Sequence, residues 1–432
     1  MIPSTPTWKS GRALAAMLAL AGLLPVLAHA APTSADRAMA DAEATVQRRP
    51  TADALVDLAA AFMRKARETG DPAYYRRAEA ALDRAVATTP GHYRALRARA
   101  WVLLGKHEFT AALRAARTAR AIEPHDWWNY GNLADACVEL GRYDDAVRAT
   151  TRMMALRPGL PVYTRVAALR ALMNDRRGAI EALELALSTA DPRDPEERAW
   201  ILTYLGHEHW ALGELRQARV RYEEALRSFP DYHLALPGLA HVRAAEGDTA
   251  GAIDLYERAL ALTPMPAIAG ALGDLYAATG DPRRAAATYD FAMYMGRVAE
   301  ATGTTYGREL ALVLADHDRG LPDALHLARQ EATRRRDIYT DDALAWALYK
   351  NGRLADAMRA AHRALRLGTE DALLHYHAGM IAAAAGRGEW AARHLARALA
   401  LNPHFDLRQA PLARATLARV GVTERLVRED HR

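Results

Sequence analysis

Glycine and proline punctuate the chain at one fixed interval, and that interval leaves few folds open. Pro90, Pro124 and Pro158 stand 34 residues apart, as do Pro230 and Pro264. Gly213 and Gly247 keep the same spacing, as do Gly352 and Gly386, and Gly141 is matched by Asp175. Glycine suits the left-handed position that ends a helix and proline cannot continue one, so each pair brackets a helix. The interval predicts a unit of two helices and a tight turn, copied along the chain. Strand-type runs of Val, Ile and Thr are missing, and alanine runs such as Ala382-Ala383-Ala384-Ala385 favour closely packed helices. The chain reads as all-α. Its 432 residues need no division into several cores, because a repeat array lengthens without closing a new one.

Side chains keep the frame that the punctuation sets. Between Trp127 and Leu160, the first helix carries Tyr130, Leu133, Ala134 and Cys137, and the second carries Tyr143, Ala146, Thr150 and Met153. Between Ala199 and Tyr232 the matching residues are Leu202, Leu205, Gly206 and His209, then Leu215, Ala218, Tyr222 and Ala225. From Ala372 to Phe405 they are Ala378, Gly379 and Ala382, then Ala391, Leu395 and Ala398. Steps of three and four place them on one buried helix face.

The Leu-Gly or Leu-Ala pair, the turn glycine, the small alanine, the following aromatic and the closing proline resemble the tetratricopeptide repeat. The resemblance implies a right-handed superhelical solenoid of antiparallel helix pairs, with about ten units between Thr51 and Phe405. Small residues at Ala134, Gly206, Ala240, Gly273 and Gly379 would let the two helices of a unit approach closely. Ala146, Ala218, Ala252, Ala285 and Ala357 would receive side chains from the neighbouring helix. The solenoid is expected over 51–294 and again over 338–405. The stretch 295–337 fits worst and reads as a degenerate repeat or a bend, with Gly296 to Thr305 as a loosened connection and the bend preferred. Residues 406–432 read as a capping helix with a polar tail, and 31–50 as a mobile tail that becomes helical.

Lys9 and Arg12 precede an apolar stretch from Ala13 to Leu27, and Ala28-His29-Ala30 supplies a small-x-small cleavage pattern. Residues 1–30 therefore read as a cleaved signal peptide, too short in its apolar part for a comfortable membrane span. The mature chain is expected to be exported, periplasmic or secreted, with no stable membrane anchor. Cys137 is the only cysteine and is expected to be a small buried hydrophobe.

Little here suggests chemistry. The net charge of +5 includes two charges in the leader, and the remainder is too weak for a nucleic-acid footprint. Arg334-Arg335-Arg336 reads as a solvated helix end. Glu196-Glu197 and Asp341-Asp342 read as carboxylates favoured where helices begin. His207-Glu208-His209, and likewise His375 with His377, are two apart on a helix, whereas helical zinc pairs sit four apart. No catalytic elbow, phosphate loop or cofactor motif is present, so a non-catalytic protein without metal or cofactor is expected.

A binding surface is what remains. In tetratricopeptide proteins the first helices line a concave face, and the resemblance places Trp128, Asp135 and Glu139 there. It adds Trp200, Thr203, His207 and Trp210 from a central unit. Tyr339, Asp342, Trp346 and Tyr349 follow near the C-terminus, with Arg99, Arg165 and His241 on the same face. The paired Lys and Asn clamp of the chaperone-binding members is not recognisable. The reading is a scaffold or adaptor for a protein or peptide partner. The alternative is a glycan-binding component of cell-envelope polysaccharide assembly, with Asp135 and Asp342 accepting hydroxyls; histidine-mediated metal handling ranks last.

Overall fold

The computed structural model describes residues 32–302 and 307–430, which form helices and no strand. The expected leader, residues 1–30, lies outside the described residues. Helix α1 (Ser34–Arg48) precedes a series of pairs. These are α2 (Ala52–Thr69) with α3 (Ala73–Thr88), α4 (Tyr93–Gly105) with α5 (Phe109–Ile122), and α6 (Trp127–Glu139) with α7 (Tyr143–Leu156). Next come α8 (Leu160–Leu172) with α9 (Arg176–Thr189), α10 (Pro195–Ala211) with α11 (Leu215–Ser228), and α12 (Ala235–Ala245) with α13 (Thr249–Leu262). Then follow α14 (Pro266–Ala278) with α15 (Pro282–Thr302) and α16 (Gly307–Asp316) with α17 (Leu321–Arg334). The last are α18 (Ile338–Lys350) with α19 (Leu354–Ala364), α20 (Ala372–Ala384) with α21 (Gly388–Leu401), and the single helix α22 (Gln409–Asp430). Each helix packs on its successor, and most first helices also touch the next first helix. This is the superhelical solenoid of antiparallel pairs.

Left-handed residues make the turns inside the units. Gly141, Gly213, Gly247, Gly280, Gly352 and Gly386 take φ between 66° and 86°. His107, Asn174 and Asp318 fill the same position at φ of 59°, 67° and 53°, a conformation that costs a side-chain-bearing residue about 1–2 kcal/mol. Asn174 thus matches Gly141, while Asp175 caps α9 by accepting the Gly178 amide at 2.9 Å. Small residues then set the helix spacing. A Cβ at Gly206 would lie 2.5 Å from the Tyr222 ring, one at Gly273 2.4 Å from Tyr289, and one at Gly379 2.7 Å from Leu395. Ala146, Ala218, Ala252, Ala285 and Ala357 are all buried on the facing helices.

Two stretches depart from the sequence reading. The supposed tail holds helix α1, started by a reciprocal cap between Thr33 and Asp36 and docked by Ala35 and Val46. Thr33 donates to Glu68 at 2.9 Å, and Lys65 lies 2.6 Å from Asp36. The supposed loosened connection is helical through Thr302, because Ala292, Met295 and Ala299 keep an apolar stripe buried. Helix α16 then packs on α14 and on α18, so the series of first helices continues.

The superhelix also touches itself. Thr263 donates to the Thr69 carbonyl, Arg336 to that of Glu139, Arg176 to that of Glu370, and Asn402 to that of Trp210, at 3.1, 2.8, 2.9 and 2.8 Å. The Ile338 amide donates to the Tyr143 hydroxyl at 2.9 Å. These partners are 192 to 197 residues apart, so each turn takes five to six repeats and the next turn rests on it. Charged side chains staple this seam. Glu196, expected simply to start a helix, is buried; it receives a two-pronged contact from Arg67 and the Tyr232 hydroxyl at 2.8 Å. Arg335, expected in solvent, is buried beside Glu331 and Glu139 at 3.2 and 3.3 Å, with its guanidinium 4.8 Å above the Phe109 ring. Sequence order hid both roles, since Arg67 and Glu139 stand far from Glu196 and Arg335 along the chain.

Two substitutions test this packing. Ala146→Leu should overpack α6 against α7 and lower stability by about 1–3 kcal/mol, read from the urea midpoint; an unmoved midpoint would displace the register in that unit. Arg335→Ala should cost about 3–5 kcal/mol, because it strands buried carboxylates, while Arg334→Ala, half exposed at 50%, should change little. Equal effects of the two would remove the seam contact from the account.

Candidate functional site

One column of the repeat carries the inner face. The residue after the small one in a first helix is Asp135 on α6, His207 on α10, His241 on α12, Asp274 on α14 and Trp346 on α18. Helical periodicity sets these residues on one stripe of the first helices. Residues far apart in sequence meet there, as Arg408 does by donating to Asp274 at 3.3 Å.

The expected site residues divide into groups. On α10 and α12 they form a run of rings. Trp200 lies 4.4 Å from Tyr204, Tyr204 5.4 Å from His207, and His207 5.5 Å from Tyr222. Trp210 lies 5.7 Å from His241, which is 5.5 Å from Tyr256. Tyr204 was missed in the sequence, although it follows Trp200 by one helical turn. Its side chain keeps 39% of its surface open, yet burial raises its hydroxyl above the usual tyrosine range. His241 is likewise exposed while burial holds its imidazole below the usual range. His207 exchanges a 2.8 Å hydrogen bond with the Tyr222 hydroxyl, and burial, with His241 nearby, brings it down to about 4. Both imidazoles are neutral at pH 7.

The other expected residues are engaged already. Trp128 is half-buried, edge-on to Trp101 at 5.5 Å and under the Arg97 guanidinium at 5.4 Å. Asp135 is held by Arg165 through two bonds of 2.9 and 2.6 Å. Glu139 belongs to the seam, and Arg99 pairs with Asp83. Thr203 is buried and donates back to the Ala199 carbonyl at 2.7 Å. Asp342 and Trp346 were expected on an open face and are buried. Asp342 bonds His377 at 2.8 Å, whose ring stacks on Trp346 at 4.2 Å, and the Trp346 indole donates to Asp316 at 2.7 Å. Close approach of α20 to α18 brings His377 over them. Tyr349, 5.1 Å from Trp346, and Tyr339 are half-buried at the edge of this cluster.

The two histidine clusters of the sequence are already engaged. His209 bonds Glu214 at 2.7 Å, and His375 bonds His394 at 2.7 Å. Among the described residues no group of three or more His, Cys, Asp or Glu is placed to hold a metal ion. Cys137 is buried. No helix among the described residues is long and apolar enough to cross a membrane.

Known proteins agree with the repeat. Residues 103–173 and 205–265 each match a family model described as tetratricopeptide repeat. Similar solved structures include a chain of the APC/C hetero-tetramer Cut9-Hcn1, at 17% identity over 89% of this chain and 93% of that one, TM-score 0.37. The human IFIT1 dimer with PPP-AAAA matches at 15% over 83% and 89%, TM-score 0.46. PilF of Pseudomonas aeruginosa matches at 18% over 48% and 91%, TM-score 0.40. None of these says what this chain binds. No curated protein sequence matches the chain.

The enclosed histidine gives a pH signature. An unfolded imidazole protonates near 6.5 and His207 only near 4, so the unfolded state binds the proton first as pH falls between them. Neutral His207 therefore contributes stability above pH 6.5 that is lost toward pH 4. The thermal midpoint of His207→Gln should fall less than that of the parent between pH 6.5 and 4.5; parallel curves would mean that His207 titrates normally.

Proposed function

Since the chain is a tetratricopeptide repeat protein, we propose that it is an exported scaffold that holds an extended segment of a protein partner inside its superhelix. Tetratricopeptide repeats generally bind proteins or peptides and are generally non-catalytic. The observation that carries the finer reading is the run of rings on α10 and α12, with Tyr204 exposed among them. Trp200, Tyr204 and Trp210 offer apolar area with polar edges, and such rings concentrate binding energy. They are fixed by neighbouring rings, so little order is lost when a partner binds. Export rests on the leader-like sequence of residues 1–30.

A glycan could stack on the same rings. The carboxylates assigned to its hydroxyls, Asp135 and Asp342, are however already held by Arg165 and His377. This reading is the weaker.

Capture from a cell-envelope extract by residues 31–432, followed by mass spectrometry, tests the proposal. The Trp200→Ala/Trp210→Ala variant should keep its helicity and lose at least about tenfold in partner affinity, as expected for hot-spot rings. Undiminished capture would place the partner elsewhere. Retention of polysaccharide alone, insensitive to salt, would favour the glycan.

A further inference from the structure

Beyond the rings, the inner face is crossed by a segment of the chain itself. After α21 the backbone is tied down where Asn402 donates to the Trp210 carbonyl. Asp406 then caps α22, accepting the amides of Arg408 and Gln409 at 2.8 and 2.7 Å. This strap reaches first helices much earlier in the chain. The Asp406 carboxyl lies near His241 of α12 and Asp274 of α14. Arg408 donates to Asp274, and Gln409 donates through its side-chain amide to Asp316 of α16 at 2.6 Å. Three neighbouring residues thus span three consecutive units.

The receiving carboxylates also have partners outside the strap. Asp274 is oriented by the Tyr289 hydroxyl at 2.8 Å and His317 at 2.9 Å, and Asp316 by the Trp346 indole. Gln409 is buried at 6% exposure, yet its side-chain carbonyl oxygen has no hydrogen-bond partner. Arg408 keeps 40% of its side chain in solvent, and its contact with Asp274 is long. Such a pair exchanges easily.

We propose that Arg408 and Gln409 occupy, in cis, sites that take the guanidinium and side-chain amide of an extended basic segment of the partner. Asp274 reads the guanidinium and Asp316 the amide. The C-terminal strap covers both until the partner displaces it. This rests on the inner-face reading above and names the chemistry of the partner.

A labelled peptide with the sequence of residues 404–412 is the probe, titrated by fluorescence anisotropy against the full chain. Arg408→Ala/Gln409→Ala should bind it about tenfold more tightly than the parent, because the occluded fraction is removed. Adding Asp274→Asn should abolish the gain, and a probe with its arginine replaced by alanine should not bind. If the double variant loses helicity, Arg408→Ala alone, which keeps the Gln409 contact, should show a smaller gain in the same direction. Affinity no tighter than the parent's, or a gain that survives Asp274→Asn, would overturn the proposal. The readout does not involve Trp200 or Trp210. Failure here with ring-dependent capture intact sinks the strap alone, and the reverse pattern sinks the ring face alone.

Discussion

A tyrosine ring pressed against bare backbone sets the geometry of this molecule. Tyr222 on α11 fits between Gly206 of α10 and Gly238 of α12, where an added Cβ would lie 2.5 or 2.4 Å from its ring. One side chain therefore fixes the spacing within a unit and to the next. Tyr289 against Gly273 and Leu395 against Gly379 repeat the contact. Interiors packed this tightly transmit small differences in spacing. Uniform spacing carried through five or six units brings one turn onto the next, and the seam depends on it.

The seam is charged. Arg67 meets Glu196, Arg335 meets Glu139, and Arg176 meets Asp371 across it, with Glu196, Arg335 and Arg176 buried. Buried pairs of this kind add little net stability over apolar packing and discriminate strongly against mispairing. Along it the wall of the superhelix is closed at Thr69, Glu139, Leu172 and Trp210. A closed wall suits an extended segment entering along the axis better than a folded domain.

Local signals made the repeat legible in the sequence. Turn glycines, small residues and the aromatic facing them act within one unit, so their spacing reports them directly. The seam acts over 129 to 197 residues, and an arginine at a helix end looks alike whether it meets water or another turn. Arg335 was misread for that reason, and Glu196, which does start its helix, was read without its distant partner. Asp135, His207, His241 and Trp346 share one repeat position, so their spacing is legible, but their exposure is not. Trp346 and Asp342 are covered by α20, and periodicity records which way a residue faces without recording what stands opposite. Helix α1 was expected only as a mobile tail that becomes helical, because no repeat frame reaches it; what docks it is a cap at Thr33 and two buried apolar residues.

The contact between turns has a consequence for how such a gene can change. Repeat arrays ordinarily grow and shrink by duplicating or deleting a unit, because each unit meets only its neighbours. Here Glu139 meets Arg336, and Leu172 meets Thr369, across an interval of nearly fixed length. One extra unit between them would offset every later pairing by a step, as a one-residue slip does in a β-sheet. The number of repeats is thus locked from within, and length can vary without that penalty only outside the interval that the seam spans.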